Sequence, residues 1–71
     1  MNFEDLRKFI HLARSQNIQA SANELNLTSG ALSKTLKKME SALNTELFDR
    51  VGRNIMLNQQ GKKFHHYASQ L

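Results

Sequence analysis

The spacing of hydrophobic residues predicts helices separated by short polar turns, and residues 29–43 give the clearest case. At about 100° per residue, the large apolar side chains of this segment fall within about 60° of arc, and they are Leu32, Leu36, Met39 and Leu43. The opposite side is small, polar or cationic, and it holds Gly30, Lys34, Lys37 and Ser41 with Ser33 and Lys38 flanking them. One face of this helix is therefore expected to be buried and the other to be exposed.

Two shorter helices are predicted before this segment. Residues 3–15 form the first, which ends at Gln16-Asn17. Its apolar stripe is Phe3, Leu6, Ile10 and Ala13. Residues 20–25 form the second, and residues 26–29 form a tight turn. Thr28 is a suitable N-cap for the third helix, and Asn44 is a suitable left-handed residue at its end.

A small hairpin and a fourth helix are predicted after it. Leu47-Phe48 should pack on the core, and residues 49–57 alternate as a short hairpin does around Gly52-Arg53-Asn54. Asn58 could cap a helix over residues 59–71, in which Gly61 weakens the first turn. The apolar stripe of this helix is Phe64, Tyr67, Ala68 and Leu71.

The charge of the chain is concentrated in its second part. Residues 1–27 hold equal numbers of basic and acidic side chains, whereas residues 28–71 hold seven Lys and Arg against three Asp and Glu. The whole net charge of +4 therefore lies from the third helix onward. A neutral scaffold that carries a basic half favours a polyanionic partner.

Length and composition predict one small domain inside the cell. Seventy-one residues suffice for a single modest core. The chain has no cysteine, which is compatible with a reducing cytoplasm and excludes disulfides and thiolate metal sites. It has no apolar run of membrane-spanning length and begins with no secretion signal, so a soluble cytoplasmic domain is expected.

The order of these elements indicates a helix-turn-helix that binds DNA. A short helix, a brief turn and a second helix with a basic outer face can place cations on phosphates and short polar groups on base edges in the major groove. Arg53 at the tip of the hairpin, with Arg50 just before it, could enter a narrow minor groove.

The whole chain resembles the N-terminal winged helix-turn-helix domain of LysR-type bacterial transcriptional regulators. The matching residues of the first two helices are Leu6-Arg7-x-Phe9 and Ala20-x-Ala22-x-x-Leu25-x-Leu27. Those of the third helix are Ala31-Leu32-Ser33-Lys34-x-Leu36-x-x-Met39-Glu40-x-x-Leu43. Those that follow are Leu47-Phe48-Asp49-Arg50-x-Gly52-Arg53 and Leu57-Asn58-x-x-Gly61.

This resemblance implies a mostly α fold with a three-helix core, a short two-stranded β wing and a C-terminal linker helix. Residues 1–57 would form the DNA-binding domain, and residues 58–71 would begin the linker and dimerisation helix. Dimerisation would use the stripe Phe64, Tyr67, Ala68 and Leu71, although that stripe could instead pack only on the first helix of its own chain. The family's effector domain is absent from these residues, which suggests a fragment of a longer protein whose small-molecule effector binds elsewhere.

The resemblance also implies roles for single residues. Ser33 and Lys34 would contact base edges or adjacent phosphates, and Ser29 would face the groove beside them. Thr28, Lys37 and Lys38 would hold the DNA backbone, while Arg53 would enter the minor groove with Arg50 nearby. Arg50 could instead pair with Asp49 or Glu46, Lys38 could be only solvated, and Glu40 is expected to form an intramolecular salt bridge.

Three positions depart from the family pattern. Ser29-Gly30 stands where Gln-Pro usually opens the third helix, so bidentate adenine readout is not expected there. Gly30 costs helix stability but lets the helix sit deeper in the groove. Gln19 stands where Ser or Thr usually caps the second helix, and its longer side chain could reach a phosphate.

Other function classes have weaker support in the sequence. His11 has no obvious acid partner, and His65-His66 point about 100° apart on a helix, so neither suggests a catalytic or metal site. No enzyme activity and no cofactor are therefore expected. A winged helix that docks its basic face on an acidic protein is an alternative. A helix lying on a membrane is weaker, because Lys62 and Lys63 are the only firm cations on residues 58–71.

Overall fold

The structure consists of four helices and one β-hairpin. A computed structural model describes residues 1–71, with α1 at Phe3–Ser15, α2 at Ile18–Glu24, α3 at Ser29–Leu43, β1 at Phe48–Val51, β2 at Asn54–Leu57 and α4 at Gln59–Ala68. Helices α1, α2 and α3 pack on one another, and α4 returns across α1 and β2. This is the mostly α winged helix-turn-helix that the sequence predicts.

Side-chain caps begin all four helices. Asn2, Asn17, Thr28 and Asn58 each accept a hydrogen bond from the backbone N–H three residues later, at 2.8–3.0 Å. Helices α1 and α3 are followed by the C-cap residues Gln16 and Asn44, which both adopt the left-handed conformation. The predicted caps Thr28 and Asn58 and the predicted terminator Asn44 are confirmed.

The second helix begins earlier than predicted. It spans Ile18–Glu24 rather than residues 20–25, because the side chain of Asn17 accepts the Ala20 N–H at 2.9 Å. Gln19 consequently lies within the first turn of α2 and not at its cap position. The expectation that Gln19 replaces a capping residue is wrong.

The core is centred on Phe9. Its ring makes edge contacts with Phe48 and Phe64, at centroid distances of 5.6 and 5.0 Å. The other apolar side chains of the core are Leu12, Ala22, Leu32, Met39, Leu47 and Ile55. The predicted packing of Leu47 and Phe48 onto the core is therefore confirmed.

The buried face of α1 differs from the predicted stripe. Asp5, Phe9 and Leu12 are buried, whereas Phe3 is 72% exposed. The other three stripe residues, Leu6, Ile10 and Ala13, are half-buried. Because α1 packs against α2, α3 and α4 together, the predicted stripe forms only one edge of its buried arc.

The apolar residues of α4 divide between the core and the surface. The helix ends at Ala68, and Phe64 and Ala68 pack inward, while Tyr67 and Leu71 are 70% and 81% exposed. The backbone N–H of Leu71 bonds to Ala68 O, so the last turn tightens to an i→i−3 pattern and moves Leu71 off the stripe. The prediction of one continuous stripe is therefore wrong.

Gly61 lets α4 approach the segment between α3 and β1. A Cβ at this position would lie 2.0 Å from the backbone oxygen of Leu47 and 3.0 Å from a methyl group of Leu57. The N–H of Asn58 also donates to Leu47 O at 2.9 Å. Gly61 is thus required by close packing, which the sequence interpretation of a weakened first turn did not include. None of the four helices is long and apolar enough to cross a membrane.

Candidate nucleic-acid interface

The outward face of α3 carries small and cationic side chains. Gly30, Lys34, Lys37 and Ser41 are exposed, and Ser33 is half-buried beside them. The inward face is formed by Leu32 and Met39, which are buried. The predicted division of α3 into a buried face and an exposed basic face is confirmed.

The turn between α2 and α3 fixes the direction of α3. Asn26 adopts the left-handed conformation with φ 58°, and the N–H of Leu27 donates to Ala22 O at 2.8 Å. Thr28 Oγ1 accepts the N–H of Ala31 at 3.0 Å, and its hydroxyl proton stays free to donate outward. Thr28 can therefore cap α3 and contact a ligand at the same time.

The hairpin is held against the turn between α1 and α2. The N–H of Ile55 donates to Gln16 O at 3.0 Å, and Asn17 Nδ2 donates to Asn54 Oδ1 at 3.1 Å. β1 and β2 are antiparallel, with Arg50 opposite Ile55 and the tip at residues 52–53. These bonds place the tip of the hairpin beside the start of α2 and α3.

A cationic cleft separates α3 from the hairpin. It has a volume of about 510 Å³. Its lining is Asn17, Ile18, Gln19, Ser29, Ser33, Arg50 and Arg53. Two guanidinium groups and several neutral hydrogen-bonding groups therefore face one space that contains no carboxylate. Such a lining suits a phosphate, which Arg can bind with two parallel hydrogen bonds.

The neighbouring part of the same surface is different in charge. A smaller cleft of about 170 Å³ lies towards the C-terminal half of α3. Its lining includes the carboxylates of Glu40, Glu46 and Asp49 together with Lys37 and Arg50. Only the cleft near Ser29 and Arg53 therefore combines two guanidinium groups with a lining that holds no carboxylate.

Two predicted ion pairs are not formed in this region. Arg50 pairs with neither Asp49 nor Glu46: the one ion pair between a basic and an acidic side chain is Arg7–Glu4, and His11 is hydrogen-bonded to Glu24. Glu40 forms no salt bridge either. Its Oε2 accepts the backbone N–H of Leu47 at 2.7 Å, since the loop after α3 brings that donor within reach.

The sequence matches the model of the bacterial regulatory helix-turn-helix protein, lysR family, over residues 3–62. The chain belongs to the LysR family. Two relatives that cover nearly all of the chain are described as HTH-type transcriptional regulators. YybE of Bacillus subtilis (strain 168), described as uncharacterised, is 44% identical over 64 residues, which are 90% of this chain and 22% of YybE. The transcriptional activator IlvY of Haemophilus influenzae is 34% identical over 68 residues, which are 96% of this chain and 23% of IlvY.

A solved LysR-like structure shares the fold over almost the whole chain. The crystal structure of the CbnR_DBD–DNA complex has a TM-score of 0.92 and 28% identity, and the match covers 99% of this chain and 80% of that one. This LysR chain spans about a fifth of the length of the curated relatives it matches.

Two of the three positions named above as departures from the family pattern belong to the cationic cleft. Gln19 and Ser29 line the cleft directly. Gly30 lies at the exposed start of α3, where the nearest atom to an added Cβ would be Thr28 Oγ1 at 4.0 Å. The fold of this LysR domain therefore does not require glycine at position 30.

A hydrogen-bonded network joins α1 to α2, and the expectation that His11 lacks an acid partner is wrong. His11 Nε2 lies 2.7 Å from Glu24 Oε2, and His11 Nδ1 lies 2.7 Å from Ser21 Oγ. Ser15 Oγ continues the network at 2.6 Å from Ser21 Oγ. The signal in the sequence is a pair of polar residues at helical spacing on each helix, namely His11 with Ser15 and Ser21 with Glu24.

This network has the components of a Ser-His-acid set but not the accessibility. Ser21 is fully buried, so its hydroxyl cannot meet a substrate. No three side chains of the metal-ligating types lie close enough together to hold an ion. The network therefore holds α2 against α1, and α3 packs against both helices.

Proposed function

We propose that the chain is the DNA-reading part of a LysR-type bacterial transcriptional regulator and binds double-stranded DNA sequence-specifically. The cationic cleft between α3 and the hairpin carries this proposal. With α3 in the major groove and the hairpin tip at the minor groove, the DNA backbone between the two grooves would pass through this cleft. The similarity to a domain crystallised with DNA supports the same conclusion.

The base contacts are assigned to the outward face of α3. Ser33 and Lys34 would reach base edges, with Ser29 beside them at the start of the helix. Gly30 presents no side chain, so it would let the helix backbone approach the bases closely. Lys34 is exposed and unpaired, as a cation that meets DNA must be.

The backbone contacts are assigned to groups around that face. Lys37, Lys38 and the free hydroxyl proton of Thr28 would hold phosphates beside α3. Gln19 and Arg50 would hold the phosphate in the cleft, where both side chains line the space. Arg53 at the tip of the hairpin would enter the minor groove, where a narrow A·T-rich groove attracts arginine.

The rest of the proposal concerns the longer protein. Residues 1–57 would form the DNA-contacting domain, and residues 58–71 would begin a linker helix that pairs with the same helix of a second copy. The exposed Tyr67 and Leu71 support that pairing, because both apolar side chains are available to a second copy. Any small-molecule effector would bind to a further domain of a protein that works in the cytoplasm.

The lining of the cationic cleft and the burial of Ser21 favour DNA binding over catalysis. The cleft is lined by groups that bind an anion, whereas the one Ser-His-acid set in the molecule is closed to substrates by the burial of Ser21. The exposed surface of α3 offers cations and hydroxyls but no paired acid and base. We therefore assign no enzymatic role to the chain.

Selection from a pool of randomised duplexes tests the proposal. The bound fraction is sequenced, and fluorescence anisotropy then compares the enriched site with a scrambled duplex over a series of salt concentrations. We expect an enriched site bound more tightly than the scrambled duplex, with affinity that falls as salt rises. Salt-dependent binding without enrichment would contradict sequence reading, and no binding to any duplex would favour a protein partner for the basic face.

A further inference from the structure

Lys8 on α1 occupies an unusual position for a lysine of this chain. It is half-buried, whereas every other lysine is exposed. It lines a narrow crevice between α1 and α3 together with Thr35, Leu36 and Met39 of α3. The apolar stem of a lysine can pack in such a crevice while its ammonium group stays in water at the edge.

No acidic group of the chain neutralises Lys8. Glu4, one turn earlier on α1, lies 3.5 Å from the guanidinium of Arg7. Asp5 is buried and lies within ion-pair distance of neither Lys8 nor any other lysine or arginine. The ammonium of Lys8 therefore remains a free charge beside α3.

The crevice meets α3 on the side that faces away from the hairpin. At 100° per residue, Thr35 lies about 160° around α3 from Ser33, which lines the cleft beside the hairpin. Lys38 lies about 60° from Thr35, on the same far side. Lys8 and Lys38 thus flank Thr35 at the edge of α3 opposite the cationic cleft.

We propose that Lys8 and Lys38 form a second phosphate-binding site, which holds the DNA strand on the far edge of the major groove. The inference rests on the proposed insertion of α3 into that groove. A helix in the major groove has one phosphate backbone on each side. The cleft with Gln19 and Arg50 would hold one strand, and the lysine pair would hold the other.

Removing the charge of Lys8 tests this site. Lys8→Met keeps an apolar stem for the crevice but removes the ammonium. Arg7→Met is the matched control, because Arg7 is the adjacent cation and lines, with Ile10, His11 and Arg14, a cleft to which α3 contributes no residue. Binding of wild type and both variants is measured on the selected site and on a scrambled duplex over a salt series.

The expected result follows from counterion release. Loss of one phosphate contact lowers the slope of log K against log salt by about 0.9, so the ratio of wild-type to Lys8→Met affinity falls roughly threefold between about 50 and 200 mM salt. The loss should be equal on both duplexes, and Arg7→Met should keep the wild-type slope. A wild-type slope in Lys8→Met, or an equal loss in Arg7→Met, would overturn the site.

The assignment to one strand has its own measurement. Duplexes with uncharged methylphosphonates at single positions are compared for wild type, Lys8→Met and Lys38→Met. Once the phosphate that a lysine contacts has been neutralised, substituting that lysine should weaken binding no further. We expect this for Lys8→Met and Lys38→Met at the same or adjacent phosphates of one strand. Effects at different strands would overturn the pairing, whereas absence of salt-dependent binding by the wild type would remove the proposed function and this site with it.

Discussion

Lys34 and Lys37 lie one turn apart on the exposed face of α3, yet they are expected to contribute differently. Both are exposed and free of ion pairs. Lys34 lies opposite the centre of the buried face, where a side chain would point at the floor of the proposed groove. Lys37 also lines the smaller cleft beside Glu40 and Arg50, so it would contact the DNA strand on the hairpin side.

Substitution of each lysine by alanine should separate base reading from backbone contact. Lys34→Ala should weaken binding to the selected site by about 1–3 kcal/mol and reduce the preference over a scrambled duplex. Lys37→Ala should weaken both duplexes equally and lower the salt slope by about one. Anisotropy titrations measure both effects. An equal loss on both duplexes in Lys34→Ala would make Lys34 a phosphate contact.

Gly30 offers a test of how closely α3 approaches DNA. An added Cβ meets nothing nearer than 4.0 Å within the protein, so Gly30→Ala should raise the free energy of unfolding by up to about 1 kcal/mol. The same methyl group should weaken DNA binding if the helix backbone lies against the bases. Thermal unfolding and anisotropy measure the two effects. Unchanged affinity in the stabilised variant would place Gly30 away from the DNA.

Single residues could be predicted where their role depends on near neighbours in sequence. Thr28, Asn44 and Asn58 were predictable because a cap or a left-handed terminator is recognised within one helical turn. The bond from Leu47 N–H to Glu40 and the pairing of His11 with Glu24 could not be predicted. Each of these pairs is formed only after a loop or a second helix brings distant segments together.

At the scale of elements, the packing of α4 against the segment between α3 and β1 depends on the absence of a side chain at position 61. Gly61 sits where a Cβ would overlap the backbone oxygen of Leu47, and backbone cannot move aside as a flexible side chain can. The cap of α4 strengthens the junction, because Asn58 Nδ2 donates to Glu46 O at 2.9 Å. The position of α4 on the core therefore follows from these backbone contacts as much as from Phe64.

Gly61→Ala should destabilise the protein, whereas the same change at Gly30 should not. The overlap at position 61 should cost about 1–3 kcal/mol, because α4 must shift to accept the methyl group. In a domain of this size that loss lowers the midpoint of thermal unfolding by several degrees. Circular dichroism during heating measures it. Equal midpoints for Gly61→Ala and Gly30→Ala would contradict the close approach at Gly61.

The elements themselves were largely predictable, and their exact ends and faces were not. The period of Leu32, Leu36, Met39 and Leu43 gave the full extent and orientation of α3. The stripe of α1 was misplaced because the sequence does not reveal that three helices cover that helix at once. The start of α2 was misplaced because Asn17, rather than Gln19, supplies the cap.

At the scale of the whole molecule, exposed apolar side chains indicate where a second copy would pack. Tyr67 and Leu71 are largely exposed near the end of α4, and Phe3 is similarly exposed at the start of α1. Helices α1 and α4 pack together in the fold. A dimer through α4 would place two copies of α3 about 34–36 Å apart, which is one turn of DNA.

Introducing a charge at Tyr67 should weaken that dimer without affecting the core. Tyr67→Asp places a carboxylate in the proposed contact between two copies of α4, where it would be buried without a partner. Gln60→Asp is the control, since it adds the same charge to the exposed first turn of α4. Analytical ultracentrifugation over a series of protein concentrations should show that only the Tyr67→Asp dimer dissociates at concentrations where the wild type is still a dimer. If both variants self-associate as tightly as the wild type does, α4 is not the dimer contact.

The most direct test of DNA reading by α3 and the hairpin is methylation interference on the selected duplex. Methyl groups at guanine N7 occupy the major groove, and those at adenine N3 occupy the minor groove. We expect N7 methylation to block binding where α3 inserts, and N3 methylation to block it beside that position, where Arg53 would enter. Binding that tolerates methylation in both grooves would contradict the proposed docking and leave only contact with phosphates.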